Sequence, residues 1–516
     1  MGELVATLAL AQDNAFGQPL ESQLRSCLLA QWMCDEADVG AHMRETVYWV
    51  SLLRYIGCTG HAHEVANVFG DEMGIRAQSL VHDASNPAEV IQDVLAFATA
   101  NHPPEEREQV TQSILAGAHD WAVNNFASGC EVGDMLVSRL GFDQDVRDAL
   151  ACTFERWNGN GFPVGASGDQ IPVAMRIVHV SHDMEATSRR SSPTTALEAV
   201  ASRGGSAYDP ELADLFAANG AVWFERLEKV DPWDEVLAIE PAPHPTRSGA
   251  ELDEALLVVA DFVDLKSPFM SGHSRRCAEL AGDAAGVLGL DEAATTTLTR
   301  AALVHELGTT AVSNAILDKP TPLTRAERDR VEIHPMLTEQ MLRRSPALAT
   351  LNPVACAHHE KLDGTGYPKG VRIGSANVSA CVLAAVDIYV GLTTDRADRP
   401  AFSGAQAATE LRVLTADGTL EAAAVEAVLS AAGHATRVKA ARRKAERPGG
   451  LTGREVDVLR LAARGLTTQQ ISEELFISPK TADHHIQHIY AKIGVSTRAA
   501  AALWAMQNSV LPDVSG

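Results

Sequence analysis

The 516-residue sequence predicts an all-α protein: two large helical bundles followed by a small four-helix domain. Three observations carry that expectation. Hydrophobic residues make up 46% of the chain but aromatic ones only 5%, a balance rich in Ala, Leu and Val that favours helices over strands. Apolar residues recur at spacings of three and four, as in "RRCAELAGDAAGVLGL", which marks amphipathic helix. Distant segments also repeat one another. "RWNGNGFPVG", 156–165, aligns with "KLDGTGYPKG", 361–370, at an offset of 205, and "SLLRYIGCT", 51–59, parallels "ALVHELGTT", 302–310. A duplication on that scale makes a pair of domains rather than a solenoid.

Two Pro- and Gly-bearing polar stretches, "EPAPHPTRSG" at 240–249 and "ARRKAERPGG" at 441–450, read as linkers. They set the expected organisation: a first block over 1–235, a linker over 236–250, a second block over 251–436, a linker over 437–450 and a tail over 451–516. The net charge of −24 excludes a protein that coats nucleic acid along its whole length. From Arg437 onward, however, 12 Lys/Arg face 7 Asp/Glu, so a tail of +5 follows a body of −29. The eight cysteines form no CxxC pair, which fits free, buried thiols in a reducing compartment. The N-terminus lacks the basic start of a secretion signal, and no apolar run reaches about 18 residues without a charge or turn. The expectation is a cytoplasmic protein with no membrane partner.

Histidines and acids recur in order across the second block. "KSPFMSGHSRR" supplies His273, "ALVHELG" supplies His305 and Glu306, and "EIHPMLTEQ" supplies His334. "AHHEKLDGTGYPKG" adds His358 and His359, and "LAAVDIYVGL" adds Asp387. Imidazoles with one or two carboxylates suit first-row divalent metals, which accept mixed N/O shells and keep positions open for water. Two such ions can clamp both oxygens of an in-line phosphoryl displacement.

These motifs resemble the HD-GYP domain, a branch of the HD phosphohydrolases, over roughly 251–435. "HHEKLDGTGYP" is its most specific match, and "ILDKPTPLT" matches the segment after the HD pair. The resemblance implies a helical bundle holding iron- or manganese-like ions and hydrolysing cyclic di-GMP. It implies His273, His305, Glu306, His334, His358, His359 and Asp387 as metal ligands, with His305 and Glu306 at the catalytic centre. It places Asp363, Gly364, Gly366, Tyr367, Arg396 and Arg399 against the nucleotide, the arginines as phosphate-binding forks. Three departures stand out. The HD aspartate is Glu306, whose extra methylene moves its oxygens by about 1 Å where small misplacements matter. The lysine usual three residues later is Thr309. The glutamate that gives some members a third metal is Phe269, so at most two ions are implied.

In the first block the same positions are emptied. Arg54-Tyr55 replace the HD pair, Gly129 the next histidine, Thr153-Phe154 the adjacent histidines and His182 the last aspartate. No histidine stands around Ser22 and Gln23. This is the pattern of a degenerate site filled by packing. "GHAHE", 60–64, reads as a solvent-facing turn and is assigned no metal.

Helix signals are dense in the tail. Thr452 with Glu455 forms a capping box, Gly465 ends the first helix, "TTQQISEEL" is a second, and Ser478-Pro479 starts a third. The two helices around "FISPK" form a helix-turn-helix. The run resembles the LuxR/NarL-type DNA-binding domain in its LTxRE, SxxT and HxxxIYxK hallmarks. By that resemblance Lys480, Thr481, His484, His485, His488, Lys492 and Arg498 face DNA, while Asp483 stands where a basic or polar residue is usual. Ile471, Leu475, Ile486, Ile489, Ile493 and Leu503 are core. Such domains read two half-sites, which implies a homodimer.

Together these features describe a LuxR-type transcriptional regulator whose HD-GYP module senses a cyclic dinucleotide at a centre of up to two iron or manganese ions in 251–436. Whether it also hydrolyses the nucleotide stays open. The alternatives are a working cyclic di-GMP phosphodiesterase localised by its tail, and a ligand-independent DNA-binding dimer with inactive HD domains.

Overall fold

Side-chain caps fix most helix starts, and the apolar stripes between them build the cores. The structure, a computed structural model, describes residues 1–244, 246–374, 377–434 and 448–511. Among the described residues every regular element is helical, and only three isolated bridges pair extended backbone. They form two compact units, Met1–Ser248 and Gly249–Gly516. Helix Pro232–Ala238 reaches into the first expected linker, and residues 437–447 of the second lie outside the described residues.

In the first unit, helix Ser22–Glu36 packs against Ala41–Leu53, Val173–Arg190 and Pro210–Leu227. Leu24, Leu28, Leu29, Met33, Tyr48 and Phe216 are its deepest apolar side chains. Between its paired landmarks (51 to 156 against 302 to 361) this block carries 46 more residues than the second. They fold as short helices and the long helix Arg107–Arg139, with a satellite core of Val65, Phe69, Ile75 and Ile114.

In the second unit, helix His273–Leu288 packs on Glu292–Val304, Val378–Leu392 and Ala422–Ala431. Its N-cap, Gly272, takes φ 71°, a left-handed conformation that glycine adopts without steric cost. The chain is thereby turned so that His273 opens the helix facing inward, 1% exposed.

The tail belongs to this same unit. Its helices run Gly453–Ala463, Thr468–Glu474, Pro479–Ile493 and Arg498–Gln507. The Thr452/Glu455 capping box and the Ser478 cap before Pro479 are present, and a second box joins Thr467 to Gln470. Ile471, Ile486, Ile489 and Leu503 are buried, with Leu475 and Ile493 packed at the edge of the tail's core. The tail rests on residues 261–272 of the preceding domain. Ser271 Oγ donates to the Ala463 carbonyl at 3.4 Å, Gln507 Nε2 donates to Asp261 Oδ2 at 3.4 Å, and Arg464 pairs with Asp395. A Cβ on Gly272 would touch Leu511 at 3.4 Å.

Glu455 ties the tail's first and third helices. Its carboxylate accepts from the Thr452 N–H at 2.7 Å and from Lys492 Nζ at 2.7 Å. The Lys492 bond first, then the Thr452 N–H, hold its pKa down at about 2. The contribution of a depressed carboxylate is full above its unfolded pKa of 4.5 and fades as pH falls toward 2. Replacing Glu455 by Gln should cost about 1 kcal/mol, read as roughly five-fold faster amide exchange in Gly453–Ala463 at neutral pH. The ratio to wild type should shrink as pH falls below 4.5. A ratio constant with pH would refute the assignment.

Candidate metal centre and nucleic-acid interface

Three histidines of the second unit are aimed by the same local device. His305 Nδ1 donates to the Ala302 carbonyl at 2.8 Å, His334 Nδ1 to Val331 at 2.8 Å, and His358 Nδ1 to Ala355 at 2.6 Å. Each bond reaches back three residues and orients the ring, so that Nε2 points into the interior. Backbone crowding sets the rest. A Cβ on Gly308 would lie 1.9 Å from the His334 carbonyl oxygen, so only glycine lets the segment after Glu306 meet His334. Thr338 Oγ1 locks that approach, donating to the His305 carbonyl at 3.1 Å and accepting from the Gly308 N–H at 2.9 Å.

The result is one buried cluster. His273 Nε2 lies 3.1 Å from Asp387 Oδ1, His305 Nε2 is 3.8 Å from the same oxygen, and His359 Nδ1 is 3.6 Å from Oδ2. Glu306 spans the cluster: Oε1 is 3.9 Å from both His273 and His305 Nε2, and Oε2 is 3.6 Å from His334 Nε2. His334 and His358 bring their Nε2 atoms within 3.1 Å. All seven sequence-predicted ligands therefore converge. The donor atoms fall into two groups, each within 4.8 Å: His273, Cys277, His305 and Asp387, and Glu306, His334, His358 and His359. Sequence reasoning missed Cys277, although its place four residues after His273 puts both on one helix face.

Electrostatics fits this donor set to divalent cations. Burial pushes the Glu306 carboxyl up, but His334, His305 and His273 outweigh it and keep it ionised. Asp387 is held well below the aspartate range, burial again being outweighed by His273 and His305. Burial, reinforced by neighbouring imidazoles, drives His358 far down and brings His359 to about 4, so both are neutral donors. His273 rises to about 10, because Cys277 and Asp387 overcome its burial. Two side-chain atoms, His305 Nε2 and Glu306 Oε2, are buried without a hydrogen bond. Orphaned donors of this kind need a partner, and metal ions supply one.

The loop glycines shape the site more than they line it. Gly364 adopts φ 80°, and a Cβ on Gly366 would lie 2.3 Å from the His359 carbonyl oxygen. Asp363 Oδ1 accepts from the N–H and hydroxyl of Thr365 at 2.9 and 2.8 Å. Glu360 pins the returning strand of the loop, accepting from the N–H groups of Lys369 and Val371 at 2.8 and 3.0 Å. Tyr367 faces the centre, its ring 4.5 Å from that of His359. Arg399 spends its guanidinium on the carbonyls of Gly391, Leu392 and Pro400. Arg396 contacts the Met270 sulfur at 3.0 Å. Thr309 gives its hydroxyl to the Glu306 carbonyl.

The first unit keeps the scaffold without the ligands. A Cβ on Gly57 would strike the Gly129 carbonyl oxygen at 1.9 Å, as Gly308 would strike His334. Gly159 and Gly165 repeat the left-handed turns of Gly364 and Gly370, and Glu155 accepts from the Val164 N–H at 2.9 Å as Glu360 does from Lys369. In place of ligands, Tyr55 stacks on Phe16 at 3.8 Å and Phe154 packs on Phe126 at 4.3 Å. The "GHAHE" expectation is corrected: His61 is 4% exposed, and its ring lies 2.9 Å from where a Gly129 Cβ would be. It fills the volume of the missing imidazole. The charge is also rebuilt. Asp183, next to His182, lies 3.6 Å from Arg54 and 3.5 Å from Arg156, and accepts from the Tyr208 hydroxyl at 3.2 Å. Burial opposes its ionisation, but Arg156, His182 and Arg54 prevail. Asp183→Asn would leave two buried guanidinium groups unmatched, a loss of about 3–5 kcal/mol. We expect a correspondingly lower thermal midpoint with unchanged metal content, and an unaltered midpoint would show those cations to be solvated.

On the tail, Lys480, Thr481, His484 and His488 are exposed along helix Pro479–Ile493, with His485 half-buried. The His484 and His488 rings stand 4.0 Å apart on one face. Lys492 is paired with Glu455, and Arg498 donates to the Leu466 carbonyl, so both also hold the tail together.

The HD domain model matches residues 126–212 and 257–419, and the model of bacterial regulatory proteins of the luxR family matches 450–505. The 3'3'-cGAMP-specific phosphodiesterase 3 of Vibrio cholerae serotype O1 is 30% identical over 409 residues, covering 78% of this chain and 88% of that protein. A cyclic di-GMP phosphodiesterase of Thermotoga maritima is 29% identical over 148 residues, 28% of this chain and 39% of that protein. The crystal structure of a V. cholerae cyclic GMP-AMP-specific phosphodiesterase superposes with a TM-score of 0.59 at 25% identity, covering 84% of this chain and 97% of that one.

Proposed function

We infer the function from membership and site together: the chain belongs to the HD-GYP phosphodiesterase family and carries a LuxR-type helix-turn-helix domain at its C-terminal end. We propose that it is a transcriptional regulator that binds and hydrolyses a cyclic dinucleotide in its second HD-GYP domain, 3'3'-cGAMP before cyclic di-GMP. The buried cluster carries this reading, above all Glu306, whose two oxygens face both donor groups and could serve a metal ion in either. The V. cholerae relative, matched over 88% of its length and named for 3'3'-cGAMP, supports the order of substrates.

His273, His305, Glu306, His334, His358, His359 and Asp387 would hold up to two divalent ions, iron or manganese. Bound metal supplies Lewis acidity toward phosphoryl oxygens at neutral pH. The chain's own residues do the remaining work. Tyr367 offers an aromatic face beside His359, against which a nucleobase or ribose can pack. Arg396 supplies the cation that Thr309 does not, while Arg399 holds its loop in place. His358 and His359, neutral and oriented, are ready donors.

The tail supports the regulatory half of the proposal, because its recognition helix is intact and exposed. Lys480 and Thr481 would hold phosphates and His484 and His488 would reach base edges, with His485, Lys492 and Arg498 at the margin. The protein would act in the cytoplasm as a homodimer on two half-sites. No helix among the described residues is long and apolar enough to cross a membrane.

The test is turnover. Full-length protein purified without chelator and supplied with Fe²⁺ or Mn²⁺ should linearise 3'3'-cGAMP faster than cyclic di-GMP, and His358→Ala should abolish both. Saturable nucleotide binding without product would reduce the module to a sensor. For the tail, Lys480→Ala should weaken DNA binding evenly across sequences and lower the salt-dependence slope by about 1. An unchanged slope would remove Lys480 from the interface.

A further inference from the structure

One thiol sits inside the donor cluster. Cys277 lies one helical turn after His273, fully buried, with Sγ 3.5 Å from His273 Nε2. The same His273 nitrogen is 3.1 Å from Asp387 Oδ1, and that oxygen is 3.8 Å from His305 Nε2. A tetrahedral ion with bonds of about 2.0–2.3 Å spaces its donors by about 3.3–3.8 Å. The observed separations bracket that range, and all four donor atoms fit within 4.8 Å of one another.

A second observation points to the same ligand. His305 is wholly buried, its Nδ1 is committed to Ala302, and its Nε2 is aimed into this group without a hydrogen bond. The other thiols lack such company. Cys27 Sγ meets the Tyr48 carbonyl at 3.9 Å, and Cys356 Sγ meets the Asn352 side chain at 3.5 Å. In the first unit, where the ligands are gone, the matching helix starts at Ser22 and carries Ser26 at the corresponding place. Ser26 turns its hydroxyl back to the Ser22 carbonyl at 2.9 Å. The inward sulfur thus accompanies the retained ligand set.

We propose that Cys277 is a metal ligand, its thiolate joining His273, His305 and Asp387 around one ion while Glu306, His334, His358 and His359 surround the other. The proposal rests on the metal-centre reading above and specifies it. The metal–sulfur bond forms as the thiol releases its proton to solvent, with no change of oxidation state. A soft donor turns the first site toward iron(II), cobalt and zinc and away from manganese and magnesium.

X-ray absorption at the metal edge of the full-length wild-type protein, purified without chelator, should show a sulfur scatterer at about 2.3 Å beside a shorter N/O shell. The cobalt-substituted protein should show a near-ultraviolet thiolate-to-cobalt band. Cys277→Ser and Cys277→Ala should lose both signals and drop from about two ions per chain to about one, with the second donor group still loaded. A wild-type shell of N/O donors alone, with both variants keeping their full metal content, would overturn the proposal and leave the metal-centre reading standing. A wild-type chain that takes up no metal from Fe²⁺, Co²⁺ or Zn²⁺ would overturn both. The absorption measurement on the wild type does not depend on either variant folding.

Discussion

Two buried carboxylates set the constraint on which both sites are built: Asp387 in the second unit and, in the first, Asp183, one residue past the position that matches Asp387. Moving an ionised group out of water costs several kcal/mol unless opposite charge stands beside it. The second unit answers with imidazoles, which are basic enough to hold a proton and soft enough to give it up to a cation. The first answers with two guanidinium groups, which never release their charge. Arg54 stands at the position of the lost HD histidine, so one substitution removed a ligand and supplied its electrostatic replacement. That exchange is self-consistent. A permanent cation beside Asp183 leaves no charge for a dication to neutralise, and His61 occupies the remaining volume.

The backbone constraint is common to both solutions. Gly57 and Gly308 make the same close crossing, and the Gly159/Gly165 and Gly364/Gly370 pairs make the same turns. Glu155 and Glu360 pin the two loops through N–H bonds of nearly equal length. These features carry no chemistry of their own. They position whatever follows, which explains how one copy kept the fold after losing every metal histidine.

Much of this was legible in the sequence. Periodicity and composition indicate helices, the capping signals locate the tail's helix starts, and the ordered histidines announce a cluster. The glycine-rich motif identifies the family, but it does not reveal how tightly Gly364 and Gly366 set the loop's path. Arg399 reads as a phosphate fork because sequence shows a charge and not the three carbonyls that occupy it. His61 reads as exposed because its burial depends on Gly129, 68 residues away. Cys277 was hidden for a different reason. A cysteine in an apolar stripe looks like core, and only the arrival of His305 and Asp387 from two other segments turns it into part of the proposed site.

For the proposed regulator, the site and the DNA reader need a shared element, and the segment ending at Gly272 is one. On one side it feeds His273, the first ligand, through a left-handed N-cap. On the other it carries the tail, through the Ser271 hydroxyl donating to the Ala463 carbonyl. Asp395, which pairs with Arg464, sits beside Arg396 on the loop expected to meet the nucleotide. The polar part of the tail's anchorage is a handful of contacts, each worth about 0.5–1.5 kcal/mol, beside the apolar side chains of Met506 and Leu511 near Gly272. A ligand redistributes such an arrangement only by binding one form more tightly than the other, and a preference of a few kcal/mol covers contacts of this number. In the proposed reading, a nucleotide phosphate bound by Arg396 would act on the residue next to Asp395. One charge-assisted hydrogen bond at the site is of the same order as any one of these polar contacts.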